Sequence, residues 1–367
     1  MKRGNNAVIR YKDSKPSALR SSLESMQPAF HSSVSPPDSR LPLLMDWLGA
    51  RLAGAAFDIA PASADASFRR YFRVTLADRT LIAMDAPPPQ ENCRPFVMVA
   101  RLLRDAGVNA PDVIEQDLER GFLLLSDLGS TTYLAALDRN SAKDLYRDAL
   151  AALIRMQLNA PSAALPRYDR ALLQRELDLF PDWYVARHVS RTWTEGERAQ
   201  WERGCAALLA NNLAQPVAFV HRDYHSRNLM VCADNPGVLD FQDAVQGPLT
   251  YDLVSLLKDA YIQWDEEFVL DQVARYWEQA RRAGLPVATD FAEFYRDFEW
   301  MGVQRQLKVL GIFARLFHRD GKAAYLADMP RVASGLLAAC GRYVELRPLR
   351  ALLDAAEEAT ARVGYTF

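Results

Sequence analysis

One stretch constrains this chain more than any other: residues 221–243, HRDYHSRNLMVCADNPGVLDFQD. Two short apolar runs bound it, at 217–220 and 238–241, and each reads as a strand. Asp223 opens the loop after the first run, and Asn228 follows five residues later. Asp240 sits at the end of the second run. Between them Asn235-Pro236-Gly237 favours a tight return that carries Asp240 back towards Asn228. The expected result is two carboxylates and one amide at the mouth of a cleft. Any one of these residues could simply cap a turn. The combination suits phosphoryl transfer from ATP, in which one carboxylate orients a hydroxyl and takes its proton. An amide oxygen and a second carboxylate hold Mg²⁺ against the phosphates. HRD with Asn five residues on, then Asp-Phe, is the catalytic-loop and metal-binding pattern of kinases, with Gln242 where protein kinases carry Gly.

The flanking sequence predicts an α+β chain of two lobes. Leu43, Leu44, Trp47, Leu48 and Leu52 recur at helical spacing. Residues 60–66 read as a loop of small residues containing Pro61. Strands are predicted at 68–74 and 80–84 around the turn 76–79. Phe96, Val97, Val99, Leu102 and Leu103 predict a helix that stops at Gly107. A second strand pair is predicted at 113–115 and 122–125. From Thr131 the pattern is helical: a long helix pair over 134–158, then helices at 170–187, 195–209 and through 251–361. The expected division is a β-rich N-lobe at 41–127 and an α-helical C-lobe at 128–367. Residues 1–40 have seven basic and three acidic residues, no period and no apolar stretch for a secretory signal. They are expected to be a disordered tail or non-native upstream sequence, with Met26 and Met45 as alternative starts.

Net charge is −2 over 367 residues, which excludes a chain built as a nucleic-acid or anionic-membrane binder. The four cysteines form no CxxC pair, so reduced thiols and a cytoplasmic setting are expected. No run of about 18 apolar residues predicts a membrane span, and no obligatory protein partner is evident.

At HRDYHSRNLM, VLDFQD and YDLVSLL the chain resembles the aminoglycoside phosphotransferase and choline kinase superfamily. The resemblance runs from about Leu41 to the C-terminus and implies a protein-kinase-like bilobal fold with ATP between the lobes. It implies Asp223 as catalytic base and Asn228 and Asp240 as Mg²⁺ ligands, with Asp252 bracing the catalytic loop. GFLLLSDLG resembles the interlobe hinge, so Ser126, Asp127 and Leu128 would meet the adenine. Only 11 residues separate Asp240 from Asp252, and no APE follows, unlike the longer activation segment of a protein kinase. A small-molecule acceptor is therefore expected.

There are two departures. The strand TLIAMD carries no phosphate-binding lysine, and the loop ASADASFRRYFRV above it carries no glycine. Arg69 or Arg70, with Ser67 alongside, could take over the phosphates, or they could be solvated strand charges. Glu91 is the nearest counterpart of a kinase helix-C glutamate. In residues 301–322, Arg305, Lys308, Arg315, Arg319 and Lys322 fall on one helical face with a single acid, Asp320. That face would repel a polycation and attract an anionic sugar, or it is a solvated stripe. His225, Asp243 and Arg305 are the candidate acceptor contacts. SFRRYFRV, GFLLLSDLGSTTYL, VLDFQDAVQGPLTYDLVSLLKDAYIQWDEEF and FARLFHRDGK narrow the resemblance to anomeric amino-sugar kinases. These phosphorylate N-acetylmuramate and N-acetylglucosamine in peptidoglycan recycling. Two alternatives remain open: a kinase for an aminoglycoside or amino alcohol, and a non-catalytic nucleotide-binding module.

Overall fold

The computed structural model describes residues 39–63 and 68–363. Residues 1–38 of the tail expected at 1–40, and Ser67, lie outside them. The chain divides into two units, 1–43 and 44–367, and both lobes belong to the second.

Helix α1 (Arg40–Arg51) buries Leu44, Trp47 and Leu48. The sheet lobe follows as β1 (Asp58–Ser63), β2 (Arg70–Thr75), β3 (Thr80–Asp85), helix α2 (Arg94–Asp105), β4 (Val113–Asp117) and β5 (Phe122–Ser126). The strands form one antiparallel sheet in the order β1-β2-β3-β5-β4. Strand β1 corrects the loop expected at 60–66. Its Pro61 lacks a ladder donor, and the edge position, with a register irregularity between Pro61 and Ser63, tolerates that. Helix α2 buries Phe96, Val99, Ala100 and Leu103, one stripe at 3.6 residues per turn. Gly121 closes the β4–β5 turn at φ +76°, where a Cβ would lie 1.9 Å from the Ala86 carbonyl oxygen.

The helical lobe opens with α3 (Tyr133–Ala136) and α4 (Ala142–Asn159), so the expected helix pair is one turn followed by one long helix. Next come α5 (Arg170–Leu179), a π-helical stretch at Phe180–His188, and α6 (Glu195–Ala214), started by a Thr194–Glu197 capping box. The catalytic-loop region carries β6 (Val217–Val220), β7 (Leu229–Met230), β8 (Gly237–Val238) and β9 (Val245–Pro248). β6 pairs with β9, which the sequence pattern did not suggest, and β7 with β8. The expected strand at 238–241 ends after Val238, because Asp240 turns to φ +62° and leaves the ladder. Then follow α7 (Tyr251–Leu257), α8 (Glu266–Ala283), α9 (Phe291–Asp320), α10 (Met329–Arg342) and α11 (Arg347–Val363).

Helix α9 is the axis of this lobe. It is buried on all sides through its middle, from Phe298 to Leu310. At Gly311 it meets the end of α5 so closely that a Cβ would lie 2.4 Å from the Leu179 carbonyl carbon. That contact fixes which α9 residues turn towards the catalytic loop.

Candidate active site

Strand β6 delivers His221, Arg222 and Asp223 to the loop, and α7 holds them there. The Asp252 carboxylate, fully buried, accepts the backbone N–H of His221 at 2.6 Å and of Arg222 at 3.0 Å. His221 joins the two ends of the segment. Its Nδ1 accepts the Asp223 N–H at 3.2 Å, so Nε2 carries the proton and donates to the Leu239 carbonyl at 3.0 Å. Burial pushes the His221 imidazole down to about 4, so it is neutral at pH 7. Burial likewise pushes the Asp252 carboxyl up to about 7 against the two N–H donors.

Asn228 touches both other residues of the expected trio, Asp223 at its backbone carbonyl and Asp240 at its carboxylate. The Asn228 Nδ2 donates to the Asp223 carbonyl at 3.0 Å and contacts Asp240 Oδ2 at 3.4 Å. Gln242 Nε2 donates to Asp240 Oδ1 at 2.8 Å. Arg222 at φ +77° and Asp240 at φ +62° hold left-handed backbone on either side of this cluster. Such strain, about 1–3 kcal/mol each, persists where the surroundings over-determine it. Below the cluster Phe241 packs on Phe96 of α2, ring centres 4.7 Å apart, and so ties the loop to the sheet lobe.

Burial favours the protonated form of the Asp223 carboxyl. Lys308, His225, Arg305 and Arg222 outweigh it and hold the group below the ordinary carboxylate range. Asp223 is therefore ionised and able to accept a proton from an acceptor hydroxyl.

His225 is buried, and its Nδ1 has no hydrogen-bond partner. Its ring meets Tyr261 edge-on at 5.5 Å. Asp243 is exposed, and its Oδ2 lies 3.5 Å from Gln242 Nε2. Arg305 is 5% exposed, with Nη1 unpartnered, and its charge acts on Asp223, His225 and Tyr261. The single basic face expected on α9 is split. Lys308 turns inward and pairs with Glu176 at 2.9 Å and with the Tyr251 hydroxyl at 2.9 Å. Arg319 is exposed and pairs with Asp320 at 2.7 Å.

In the sheet lobe, Arg70 Nε bonds Asp85 at 3.1 Å, and Asp85 is fully buried. Arg69 lies 3.7 Å from Glu91, just ahead of α2. Arg73 bridges Asp127 at 2.7 Å and the Gly129 carbonyl at 2.8 Å, bracing the segment after β5. Ser126 ends β5, with its hydroxyl accepting the Asp112 N–H at 2.8 Å. Leu128 lies over Gly237, where a Cβ would come within 2.9 Å of its Cδ1.

Two acids escaped the sequence reading. Asp259 accepts the Ser226 N–H at 2.9 Å and the Ser226 hydroxyl, and so anchors the loop from below. Glu176 takes Arg222 at 2.6 Å, Lys308 and the Tyr168 hydroxyl. A charged residue beside Leu173 and Leu177 on the apolar face of α5 was the available signal.

Asn228 and Asp240 offer hard oxygen donors of the kind Mg²⁺ prefers. Among the described residues nothing donates to the Asn228 amide oxygen, and the buried Gln242 Oε1 beside Asp240 has no donor. These oxygens fit a hydrated cation shared with phosphates. No cluster of three or more His, Cys, Asp or Glu forms a closed metal cage among the described residues. A cavity of about 580 Å³ lies elsewhere, between α5 and α6, lined by Trp193, Trp201 and Arg198 among others.

Residues 58–286 match the phosphotransferase enzyme family. The chain belongs to that family. A relative of this phosphotransferase from Pseudomonas aeruginosa is 55% identical over 297 residues, 81% of this chain and 88% of the relative. It is named N-acetylmuramate/N-acetylglucosamine kinase. One of the same name from Neisseria meningitidis is 48% identical over 88% of this chain and 98% of the relative. The ADP-bound aminoglycoside phosphotransferase APH(2'')-Ib superposes with a TM-score of 0.55 at 13% identity, covering 79% of this chain and 96% of that one. Choline kinase LicA from Streptococcus pneumoniae gives 0.55 at 12% identity, covering 82% and 100%. At those identities the likeness concerns the fold. The phosphotransferase has the expected protein-kinase-like fold, a small sheet lobe and a larger helical lobe. Among its described residues no helix is long and apolar enough to cross a membrane.

Proposed function

We propose that this phosphotransferase moves the γ-phosphoryl group of ATP to the anomeric hydroxyl of N-acetylmuramate and N-acetylglucosamine. The products are sugar 1-phosphates, formed in the cytoplasm during peptidoglycan recycling. The supporting observation for the acceptor is 55% identity to a kinase of that name across 88% of its length. The convergence of Asp223, Asn228 and Asp240 supports the chemistry.

Asp223, ionised and beside Arg305, accepts a hydrogen bond from the acceptor hydroxyl and takes its proton as the oxygen attacks. The new O–P bond forms in line as the bond to the β-phosphate oxygen breaks and ADP leaves. Asn228 and Asp240 would hold Mg²⁺, which supplies charge neutralisation at the phosphates. Arg69, with Glu91 3.7 Å away, is our candidate for the cation–carboxylate pair that a kinase builds from a strand lysine and a helix glutamate. The backbone of Ser126, Asp127 and Leu128, braced by Arg73, meets the adenine.

ADP release from Mg-ATP, with N-acetylmuramate, N-acetylglucosamine, glucose and kanamycin as separate acceptors, tests this. Turnover with the two N-acetylated sugars, with phosphorus NMR of the product at the anomeric position, is expected. Turnover with kanamycin alone, or phosphate on another hydroxyl, would overturn the acceptor assignment.

A further inference from the structure

Two guanidinium groups beside the Asp223 loop have no hydrogen-bonded or ion-paired carboxylate among the described residues. Arg305 is 5% exposed yet makes no hydrogen bond or ion pair among the described residues, and its Nη1 is buried without a partner. A buried cation left this way costs stability unless something arrives to pair it. Its neighbours on α9 are treated differently: Lys308, one turn on, has Glu176 and Tyr251, and Gln304 donates to the Leu173 carbonyl at 3.0 Å. Arg227, on the loop itself, is exposed and likewise has no ion-paired carboxylate among the described residues. It lies flat over the Tyr261 ring, 3.6 Å from the centroid. Tyr261 in turn meets the His225 ring at 5.5 Å, and Arg305 acts on both. One aromatic ring thus has a stacked guanidinium above it and the charge of a buried one acting on it, close to Asp223. Asp259, whose charge also acts on Tyr261, already accepts Ser226 and the Tyr261 N–H at 3.0 Å.

We propose that Arg305 and Arg227, beside Tyr261, form a subsite for a carboxylate carried by the acceptor. The subsite favours an anionic sugar over its neutral counterpart at the same catalytic centre. Paired guanidiniums recognise carboxylates well, because each offers parallel donors in a fixed plane. This rests on the sugar-kinase reading. There the two acceptors differ by one group, the lactyl ether of N-acetylmuramate, which bears the only carboxylate. The subsite gives these guanidiniums, which form no ion pair among the described residues, a carboxylate to pair with, whereas N-acetylglucosamine would leave it empty.

The test compares kcat/KM for N-acetylmuramate, its methyl ester and N-acetylglucosamine, in the wild type, Arg305→Met and Arg227→Met. The ester keeps the bulk of the lactyl group and removes its charge. The ratio of N-acetylmuramate to the ester is expected to fall about ten- to a hundredfold in Arg305→Met. A smaller fall is expected in the exposed Arg227→Met. Melting temperatures of both variants check that any change in the ratio is read on folded protein. If both variants lose all three acceptors in equal proportion, or keep the ratio, the carboxylate subsite is overturned while the sugar-kinase reading stands. If the wild type phosphorylates none of the three, the sugar-kinase reading fails and the subsite with it.

Discussion

The arginines of the two lobes are used in opposite ways. In the sheet lobe Arg69, Arg70 and Arg73 each have a carboxylate of the same lobe or of the segment leaving it: Glu91, Asp85 and Asp127. In the helical lobe Arg305 and Arg227 pair with none among the described residues, although one is buried and both adjoin the Asp223 loop. The first set joins strands to the segments beside them, and β2 reaches the interlobe connection through Arg73. The second set makes no such link, and the charge of Arg305 falls on Asp223. Arg70 and Arg73 use their charge in joining strands, whereas a buried guanidinium without an ion pair is poised for a ligand.

The largest effects belong to the cluster that both sets serve. Asp223→Asn should lower kcat roughly 10²–10⁴-fold with little change in KM for the sugar. Asp240→Ala should abolish metal-dependent turnover. Steady-state kinetics on the folded variants decides this; an Asp223→Asn enzyme with near-wild-type kcat would mean another group takes the proton.

The stability contrast is smaller and bears on the comparison directly. Arg70→Met leaves the fully buried Asp85 without that partner and should cost about 1–3 kcal/mol, a range lowered because Arg70 is itself one-third exposed. Arg305→Met should cost less, because it removes a buried charge that has no ion pair and gives up only part of the field on Asp223. Urea midpoints of the two variants, measured side by side, would break the distinction if both fell equally.

The sequence carried the catalytic segment well because spacing along one loop is local. HRD, Asn five residues on and Asp-Phe after a tight return leave few ways to arrange Asp223, Asn228 and Asp240. The amphipathic stripe of α2 and the hairpin of β2 and β3 were legible for the same reason. What was not legible depends on distant partners. β1 carries a proline and small residues and is a strand only because β2 pairs with it at the sheet edge. β9 exists because β6 lies beside it. The basic stripe on α9 looked uniform at 3.6 residues per turn. Only Glu176 on α5, and the close approach at Gly311, decide that Lys308 is neutralised while Arg305 is not. Asp259 carries no local mark of its role at Ser226.

The weakest effect is a pH dependence that opposes two groups in direct contact. His221 is held neutral, its imidazole pushed down to about 4 by burial. Its contribution to stability is present above about pH 6.5 and is lost as pH falls towards 4, because the unfolded chain takes the proton first. Burial of His225 and His188 acts in the same direction. Asp252, which accepts the His221 N–H, runs the other way. Its carboxyl is pushed up to about 7 by burial, so its contribution is present below about pH 4 and lost as pH rises through 7. Between pH 7 and 5 the two nearly cancel, at roughly 2 kcal/mol each. Wild-type stability should therefore fall only gently on acidification to pH 5. Asp252→Asn removes the opposing contribution, so its urea midpoint should fall more steeply over the same interval, whatever the variant loses at pH 7.5. Parallel slopes for the two proteins would show that Asp252 is ionised throughout, held so by the two N–H donors at the head of the catalytic loop.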